Sequence, residues 1–368
     1  MTLTNYWWLL IWLFTGGLLI SLVYPKKQEL VLGKRAVRWR IPAALLLCFP
    51  YWIWAGFRSD RFGDTSLYRS TFLEAPSSVS EFSTYLSGQS KDKGYYAFMA
   101  VFKIIFGNHP IWFFLLIAGI QMLCLALVYR KYSTDFWISI FLFVASTDYL
   151  SWMHNGMRQF LAATCIFACF SLIVKKKYIP VILVILLMST VHQSCLLMLP
   201  IIFVIQGKAW GKRTLFFSAC IGIAIIGVNQ FTGFLQDALT DTQYSNMMNN
   251  EIWASDNGTS FVRILVYSVP AILSLIGKRY VDEANDAAIN VSVNASICTM
   301  MLYLLSGVTS GIYVGRLPIY TSLMSYISLP WLIDHMFTEG SAKFVKFLMI
   351  IAYVLMFYFQ IHFAWAVI

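Results

Sequence analysis

Successive apolar runs constrain the fold of this chain more than any other feature of its sequence. They are about 17–22 residues long, enough for a helix to cross the ~30 Å core of a bilayer, and short polar segments separate them. Apolar residues make up 59% of the 368 residues and charged residues only 12%, whereas a soluble domain has ~25% charged residues. The pattern predicts an all-α polytopic membrane protein in which residues 1–368 form a single integral membrane domain.

The distribution of basic residues predicts the orientation of this domain. The net charge is +10, and most of it lies in short loops, which is typical of the positive-inside bias and does not indicate nucleic-acid binding. The densest basic loop, residues 26–40, follows the first apolar run and is therefore predicted to be cytoplasmic. Alternation along the chain then gives about twelve membrane segments, with the N- and C-termini outside. This topology leaves 18 of the 27 Lys and Arg residues inside.

Two longer polar segments, residues 58–110 and 232–260, are predicted to be large external loops. Within the first, the apolar run from Tyr95 to Phe106 has only about twelve residues, which is short for a membrane-crossing helix. We interpret it as an amphipathic helix, interfacial or re-entrant, on the outer face. A true crossing is the alternative, but it would place Arg130 and Lys131 outside.

Residues 178–206 are apolar but lie between two basic loops that should both be cytoplasmic. The segment must therefore go out and return, and about 14 residues per arm span only ~21 Å. We predict a short hairpin whose tip, near His192, stops in the outer half of the membrane. Irregular backbone at such depth requires burial in protein or a wet cavity.

Polar residues at the predicted outer ends of spans are the candidates for a functional site. Span four is predicted to run from Phe136 to Met153, which places His154 to Gln159 outside. Arginine at a span end can simply reach lipid phosphate, but its planar fork also suits a diphosphate. A general base could be either His192 or Asp64, and the sequence leaves this choice open. The candidate anion-binding arginines are Arg61, Arg69, Arg158, Arg263 and Arg316.

Five short motifs occur in a fixed order along the chain. They are Asp64-Thr65-x-x-Tyr68-Arg69, Gly94-Tyr95-Tyr96, Arg158-x-x-x-Ala162, His192-x-Ser194 and Tyr313-x-x-Arg316-x-x-x-Tyr320. Their order and shared outer-face placement over roughly residues 50–330 resemble the EpsG family, Wzy-like polymerases of O-antigen and exopolysaccharide.

The resemblance implies a GT-C-like fold and a glycosyltransferase of the bacterial plasma (inner) membrane. The implied reaction transfers a growing glycan from undecaprenyl diphosphate onto a lipid-linked repeat unit on the outer face. Implied partners are the bilayer, the undecaprenyl-diphosphate-linked oligosaccharide, a Wzz-type chain-length regulator and a Wzx-type flippase. No cofactor or metal is expected, because arginines can neutralise a diphosphate leaving group. The expected catalytic residues are His192, Asp64 and Arg158, and the expected substrate-binding residues are Arg69, Arg61, Arg316, Tyr68, Tyr313, Asn155 and Arg263.

Other functions stay open at this point. A flippase or other transporter of lipid-linked oligosaccharide would need cationic residues deep along an interior path and repeat symmetry. A membrane O-acyltransferase of glycans, superficially suited by His154 and Asn155, would need polar groups reaching inward along spans four and five. A non-catalytic scaffold would leave the external arginines, His192 and Asp64 without a purpose.

Overall fold

The computed structural model describes residues 6–24, 27–60, 63–228 and 258–364. Most of these residues are helical, as the apolar runs predict, because a helix satisfies its own backbone polar groups. The α-helices are α1 (Trp7–Val23), α2 (Ile41–Gly56), α3 (Thr65–Glu74), α4 (Val79–Ser87), α5 (Lys93–Phe106), α6 (Pro110–Tyr132), α7 (Phe136–Ala145), α8 (Met157–Ala168), α9 (Phe170–Val174), α10 (Tyr178–Ser189), α11 (Met198–Val204), α12 (Lys212–Ile226), α13 (Phe261–Ile276), α14 (Lys278–Ala284), α15 (Ala287–Gly307), α16 (Ile319–Met336) and α17 (Glu339–Phe359). Short π- or 3₁₀-helical segments lie at Tyr149–Asn155, Gln193–Leu197, Val314–Arg316 and Gln360–Ala364.

Three helices of the described chain are long and apolar enough to cross a membrane on their own. They are α6, α15 and the continuous segment Glu339–Phe363. Two bent pairs, α7 with Tyr149–Asn155 and α13 with α14, raise the number of candidate spans to as many as five. Shorter apolar helices, α1 and α2 among them, accompany these spans. The architecture is that of a helical membrane protein, and the count of twelve segments stays a prediction.

The predicted cytoplasmic loop after α1 forms a short antiparallel β-hairpin beside the helices, and the mostly helical fold is consistent with the all-α prediction. Strand β1 (Lys27–Val31) pairs with β2 (Lys34–Arg38), and Val31 lies opposite Lys34. The two turn residues, Leu32 and Gly33, both have positive φ, at 51° and 80°. A two-residue turn with this geometry matches the twist of the strands and closes a tight hairpin.

Helices α15 and α16 lie at the centre of the molecule. Every residue from Ile319 to Ile333 in α16 is buried, and so is every residue from Ala288 to Thr299 in α15. A helix buried on all sides packs against other helices around its whole circumference. Peripheral helices instead expose large apolar side chains, such as Leu22 at 74% and Ile226 at 88%, which suits contact with lipid.

The predicted external loop 58–110 contains three helices, α3, α4 and α5. The helix predicted from Tyr95 to Phe106 is confirmed and starts two residues earlier, at Lys93. It buries Tyr95, Met99 and Phe102 against α3 and α6, while Ile105 and Phe106 are exposed. At 14 residues α5 spans ~21 Å, so it is short for a crossing. The other predicted loop, 232–260, lies outside the described residues except for its last three.

The helix predicted to run unbroken from Phe136 to Met153 is broken, which corrects that boundary. Helix α7 ends at Ala145, and Tyr149–Asn155 continues at an angle of 67°. Thr147, between the two, has a φ of +68°, which a continuing helix does not allow. The neighbouring carboxylate of Asp148 is fully buried and accepts a hydrogen bond from the Trp152 indole at 3.0 Å. The break therefore orders a buried polar group within the bundle.

Residues 178–204 form the predicted short hairpin. Its arms are α10 and the combined 3₁₀ and α-helical segment Gln193–Val204, twelve residues each. Each arm spans ~18 Å, well short of a ~30 Å hydrocarbon core. His192 lies in the turn between the arms, as predicted.

Candidate functional site

The tip of the short hairpin is fixed against the start of α5. The amide of Gly94 donates to the carbonyl of Thr190 at 2.8 Å. A Cβ atom on Gly94 would lie only 2.0 Å from Thr190 Oγ1, so only glycine permits this approach. The turn Lys91–Lys93 and the hairpin tip are therefore held together as one unit.

Asp92 joins two of the residues that the sequence singled out. Its Oδ2 atom lies 3.0 Å from Arg158 Nη1 and 3.6 Å from His192 Nδ1. The Asp92 side chain is only 4% exposed, so its charge needs these partners. Its φ of +53° turns the chain into α5 and places the carboxylate beside both side chains. Arg158 and His192, both expected in the site, thus lie beside one carboxylate.

Asp92 itself was missed by the sequence analysis. It lies between two lysines, Lys91 and Lys93, two residues before Gly94 of the Gly94-Tyr95-Tyr96 motif. An acidic residue between two lysines, close to a glycine, is a usable signal. Its pairing with α8 and the hairpin, however, depends on the tertiary fold.

Two tyrosines form the apolar wall beside Arg158. Its guanidinium carbon lies 5.9 Å from the centre of the Tyr68 ring and 5.5 Å from that of Tyr95. Both distances fall within the range of cation–π attraction. The Tyr68 hydroxyl points toward the carbonyl of Asn155 at 3.4 Å. Arg158 Nε is buried and has no hydrogen-bond partner among the described residues, so part of its fork is unsatisfied.

Arg69 lies near this cluster and shares an aromatic neighbour with Arg58. Arg69 Nε binds Asp60 Oδ1 at 2.6 Å, and its guanidinium carbon lies 5.6 Å from the centre of the Phe114 ring. The guanidinium carbon of Arg58 lies 5.0 Å from the same ring centre. Arg69 and Arg58 therefore both lie over the ring of Phe114.

Arg58 is a buried cation that the sequence analysis did not assign to the site. It donates to the carbonyls of Ala55 and Met153, each at 2.6 Å. Burial lowers the pKa of Arg58 to about 10, which still leaves it positively charged at neutral pH. Arg58 therefore ties the end of α2 to the segment that leads into Arg158.

Asp64, the second candidate base, lies at the N-terminus of α3. It is half-buried, and its carbonyl accepts from the amide of Tyr68 at 3.0 Å. In the described ranges Asp64 forms no ion pair and does not contact His192. The predicted anion-binding residue Arg61 lies outside the described residues.

Gln159 connects the hairpin tip to the turn that carries Arg316. Its Nε2 atom donates to the Arg316 carbonyl at 3.0 Å and lies 3.4 Å from Ser194 Oγ. Ser194 and Tyr320 share a hydrogen bond at 2.9 Å. The Arg316 side chain is half-buried and has no ion-pair partner within the described ranges. Tyr313 lies three residues before Arg316, and its amide donates to Ser310 Oγ at 3.0 Å.

Arg263 lies in a second cluster, around the buried Asp148. Its Nη2 atom is 3.5 Å from Asp148 Oδ1, and its guanidinium carbon lies 5.5 Å from the Tyr267 ring centre. The hydroxyls of Tyr267 and Tyr326 also donate to this carboxylate. Arg263 is thus paired with Asp148 within the bundle.

An open groove of about 490 Å³ lies beside the hairpin tip. Within the described ranges, no three His, Cys, Asp or Glu side chains are placed to ligate a metal ion. Asp92 lines this groove, and the same carboxylate lies beside Arg158 and His192. Its lining residues are Ser90, Lys91, Asp92, Lys93, Ser189, Thr190, Gln193 and Leu196.

The fold is that of a polytopic helical membrane protein. Its polar site lies near one end of the helices, at the short hairpin, where an arginine and a histidine share one carboxylate. The chain belongs to the EpsG family, whose family model matches residues 43–366. This is a family of exopolysaccharide and Wzy-like polymerases, so the chain has a polymerase-type role in polysaccharide biosynthesis at a membrane. Comparison with curated proteins and with solved structures gave no significant match.

Proposed function

We propose that this chain is a GT-C-type glycosyltransferase that polymerises lipid-linked repeat units on the outer face of the bacterial plasma membrane. It transfers the growing glycan from undecaprenyl diphosphate onto the next lipid-linked repeat unit. One observation carries the proposal: Arg158 and His192 share Asp92 at the tip of a hairpin too short to cross. Ionisable groups at such depth are costly and usually functional.

Arginines bind the diphosphate of the donor in this proposal. Arg158 contributes the unsatisfied part of its fork, and Arg316 contributes a guanidinium without an ion-pair partner among the described residues. Arg69 follows Tyr68 and binds from α3, and Arg61 and Arg263 remain proposed contacts of the same anion. Guanidinium groups suit phosphate oxygens and stabilise the charge that develops on the leaving diphosphate.

His192 is the proposed base, and Asp64 is the alternative. A base must reach the acceptor hydroxyl and needs a group that orients it. His192 has Asp92 3.6 Å from its Nδ1 atom, and its segment borders the open groove. Asp64 lies one helical turn before Tyr68 without a charged partner in the described ranges. Tyr68, Tyr313 and Asn155 are the proposed contacts of the sugar units.

Two proteins would work beside this enzyme in the proposed reaction. A Wzx-type flippase would deliver the lipid-linked repeat units to the outer face, and a Wzz-type regulator would limit the chain length. Neither alters the chemistry assigned to Arg158 and His192.

Loss of long-chain glycan in cells tests the proposal. Arg158→Ala and His192→Ala should each abolish long chains on a gel, because diphosphate binding or proton removal is lost. The protein should still be present in the membrane fraction. Lys343→Ala is the matched control, since this lysine is exposed on α17 and pairs only with exposed Glu339. Unchanged chain lengths in both variants would remove these residues from the site.

A further inference from the structure

One carboxylate oxygen of Asp92 lies near two partners, a guanidinium and an imidazole. Oδ2 lies 3.0 Å from Arg158 Nη1, within hydrogen-bond reach, and 3.6 Å from His192 Nδ1, just beyond it. Nδ1 of His192 is buried and makes no hydrogen bond within the described chain. A shift of about half an ångström would therefore bring His192 Nδ1 within hydrogen-bond reach of the same oxygen.

Arg158 and His192, the two partners of Asp92, lie on different parts of the fold. Asp92 and His192 belong to one unit, because the Gly94 amide binds the Thr190 carbonyl at 2.8 Å. Arg158 lies on α8, and it is joined to that unit by the ion pair with Asp92 and by the neighbouring Gln159. A ligand that draws Arg158 away leaves Asp92 beside His192.

We propose that Asp92 couples donor binding to activation of the base. In the empty site Asp92 pairs with Arg158, and when a diphosphate binds Arg158 the carboxylate passes to Nδ1–H of His192. This inference rests on the proposed function of the site. Asp92 acts through Arg158 and His192, so it is a positioning residue and does not touch the reacting atoms.

The exchange follows from the energetics of buried charge. The Asp92 side chain is 4% exposed, so little of its carboxylate contacts water, and an N–H donor that replaces a lost partner is favoured. A diphosphate carries more negative charge than one carboxylate and competes for the guanidinium fork. Asp92 then accepts from His192 Nδ1–H, which fixes the imidazole tautomer that has a free lone pair on Nε2.

The chemical step balances with the groups in the site. The acceptor hydroxyl oxygen forms the new bond to the anomeric carbon of the donor glycan as His192 Nε2 takes its proton. The bond between that carbon and the diphosphate oxygen breaks, and its electron pair leaves with undecaprenyl diphosphate. The proton then passes from His192 to the solvent of the open groove.

Kinetics of Asp92→Asn on purified enzyme test the coupling. With undecaprenyl-diphosphate repeat units as donor, we expect kcat to fall about a hundredfold, as when general-base assistance is lost. The KM for the donor should stay the same or fall, because Asn no longer competes for Arg158. Asp92→Glu should recover part of kcat. A KM that rises together with the fall in kcat would show a merely structural role and overturn the proposal.

A double-mutant cycle separates coupling from independent effects. In a His192→Gln background, Asp92→Asn should lower kcat no further, since residues that act as one unit are not additive. Multiplicative losses would overturn the proposal. If Asp92→Asn does not fold, the same cycle is run with Asp92→Glu. Asp282→Asn, an exposed carboxylate paired with Lys278, is the matched control and should leave kcat unchanged.

The two proposals fail in different ways. Wild-type protein that does not lengthen the repeat units contradicts the proposed function itself. Wild-type protein that lengthens them, with independent effects of Asp92 and His192, contradicts only the coupling.

Discussion

Lys103 of α5 is a buried cation with three carbonyl partners. Its ammonium group donates to the carbonyls of Phe72, Leu73 and Ala75 at 3.2, 2.7 and 2.6 Å. These carbonyls lie at the C-terminal end of α3, where the Ala75 amide also donates to the Phe72 carbonyl at 3.2 Å and the following helical donors are lacking. Lys103 therefore joins α3 to α5, and α3 carries Tyr68 and Arg69 of the candidate site.

Lys103→Met should destabilise the protein by at least about 2 kcal/mol, because buried carbonyls lose their donor. Thermal unfolding of the purified protein in detergent, followed by tryptophan fluorescence, should show a lower Tm. Lys343→Met is the matched control, because this lysine is 76% exposed and its ion pair contributes little. Equal Tm values for Lys103→Met and the wild type would refute this role.

At the residue scale, the sequence identifies the candidate arginine and histidine of the site more readily than the residues that hold them in position. Arg158 and His192 stand out because charged residues are rare and these two lie at predicted span ends. Asp92 and Arg58 do not stand out in the same way. Asp92 lies in a predicted solvated loop, and the burial of Arg58 depends on Phe114 and on the carbonyl of Met153. Burial of this kind arises from tertiary packing.

Gly94 is the point at which two elements of the site meet. Alanine there would place Cβ 2.0 Å from Thr190 Oγ1 and 3.0 Å from the Thr190 carbonyl carbon. The N-terminus of α5 must then move away from the hairpin tip, and Asp92 moves with it. The spacing between Asp92 and His192 is thus set by a contact that involves neither side chain.

Gly94→Ala should reduce glycan elongation by about tenfold or more, since small displacements of catalytic groups cost large factors in rate. The elongation rate of purified protein measures this effect. Gly222→Ala in α12 is the matched control, because no atom lies within 4 Å of its added Cβ. Full activity of Gly94→Ala would show that the docking of α5 on the hairpin does not position the site.

At the element scale, length and charge predict the short hairpin and the amphipathic helix correctly. Two features were not predicted, the β-hairpin within a loop and the break in the fourth span, and each has a structural cause. The β-hairpin 27–38 depends on positive φ at Leu32, which a leucine does not indicate. The break after α7 depends on burial of Asp148 among Trp152, Tyr267 and Tyr326, which come from distant helices.

At the scale of the whole molecule, the candidate site and the basic loops lie on different segments of the chain. The predicted topology places these segments on opposite faces of the membrane. Lys91 lies beside the candidate site. Lys176 is the middle one of the three lysines 175–177, which follow α9 and are predicted to be cytoplasmic. Both lysines are exposed, so they form a matched pair for labelling.

Lys91→Cys in intact cells should react with a membrane-impermeant maleimide, because its loop is predicted outside. Lys176→Cys should react only after the membrane is permeabilised. The wild-type chain serves as background for the native cysteines. The reverse pattern would invert the topology and remove the site from the outer face.

At the scale of the whole chain, the sequence motifs predicted the family correctly. The motifs lie on α3, α5, α8, the hairpin tip and the turn before α16, and the fold connects these elements through Asp92, Gln159 and Gly94. The arrangement of Arg263 differs, since its described partner is Asp148 in the bundle. A sequence pattern alone does not show which distant motifs are in contact in the fold.

Elongation of a defined lipid-linked substrate by the purified protein tests the central claim most directly. The protein is incubated with undecaprenyl-diphosphate repeat units and a chain-length regulator, and the products are resolved by mass. The account predicts a ladder that grows by one repeat unit per step with the wild type and is absent with Arg158→Ala. Repeat units that stay single with folded wild-type protein would contradict it.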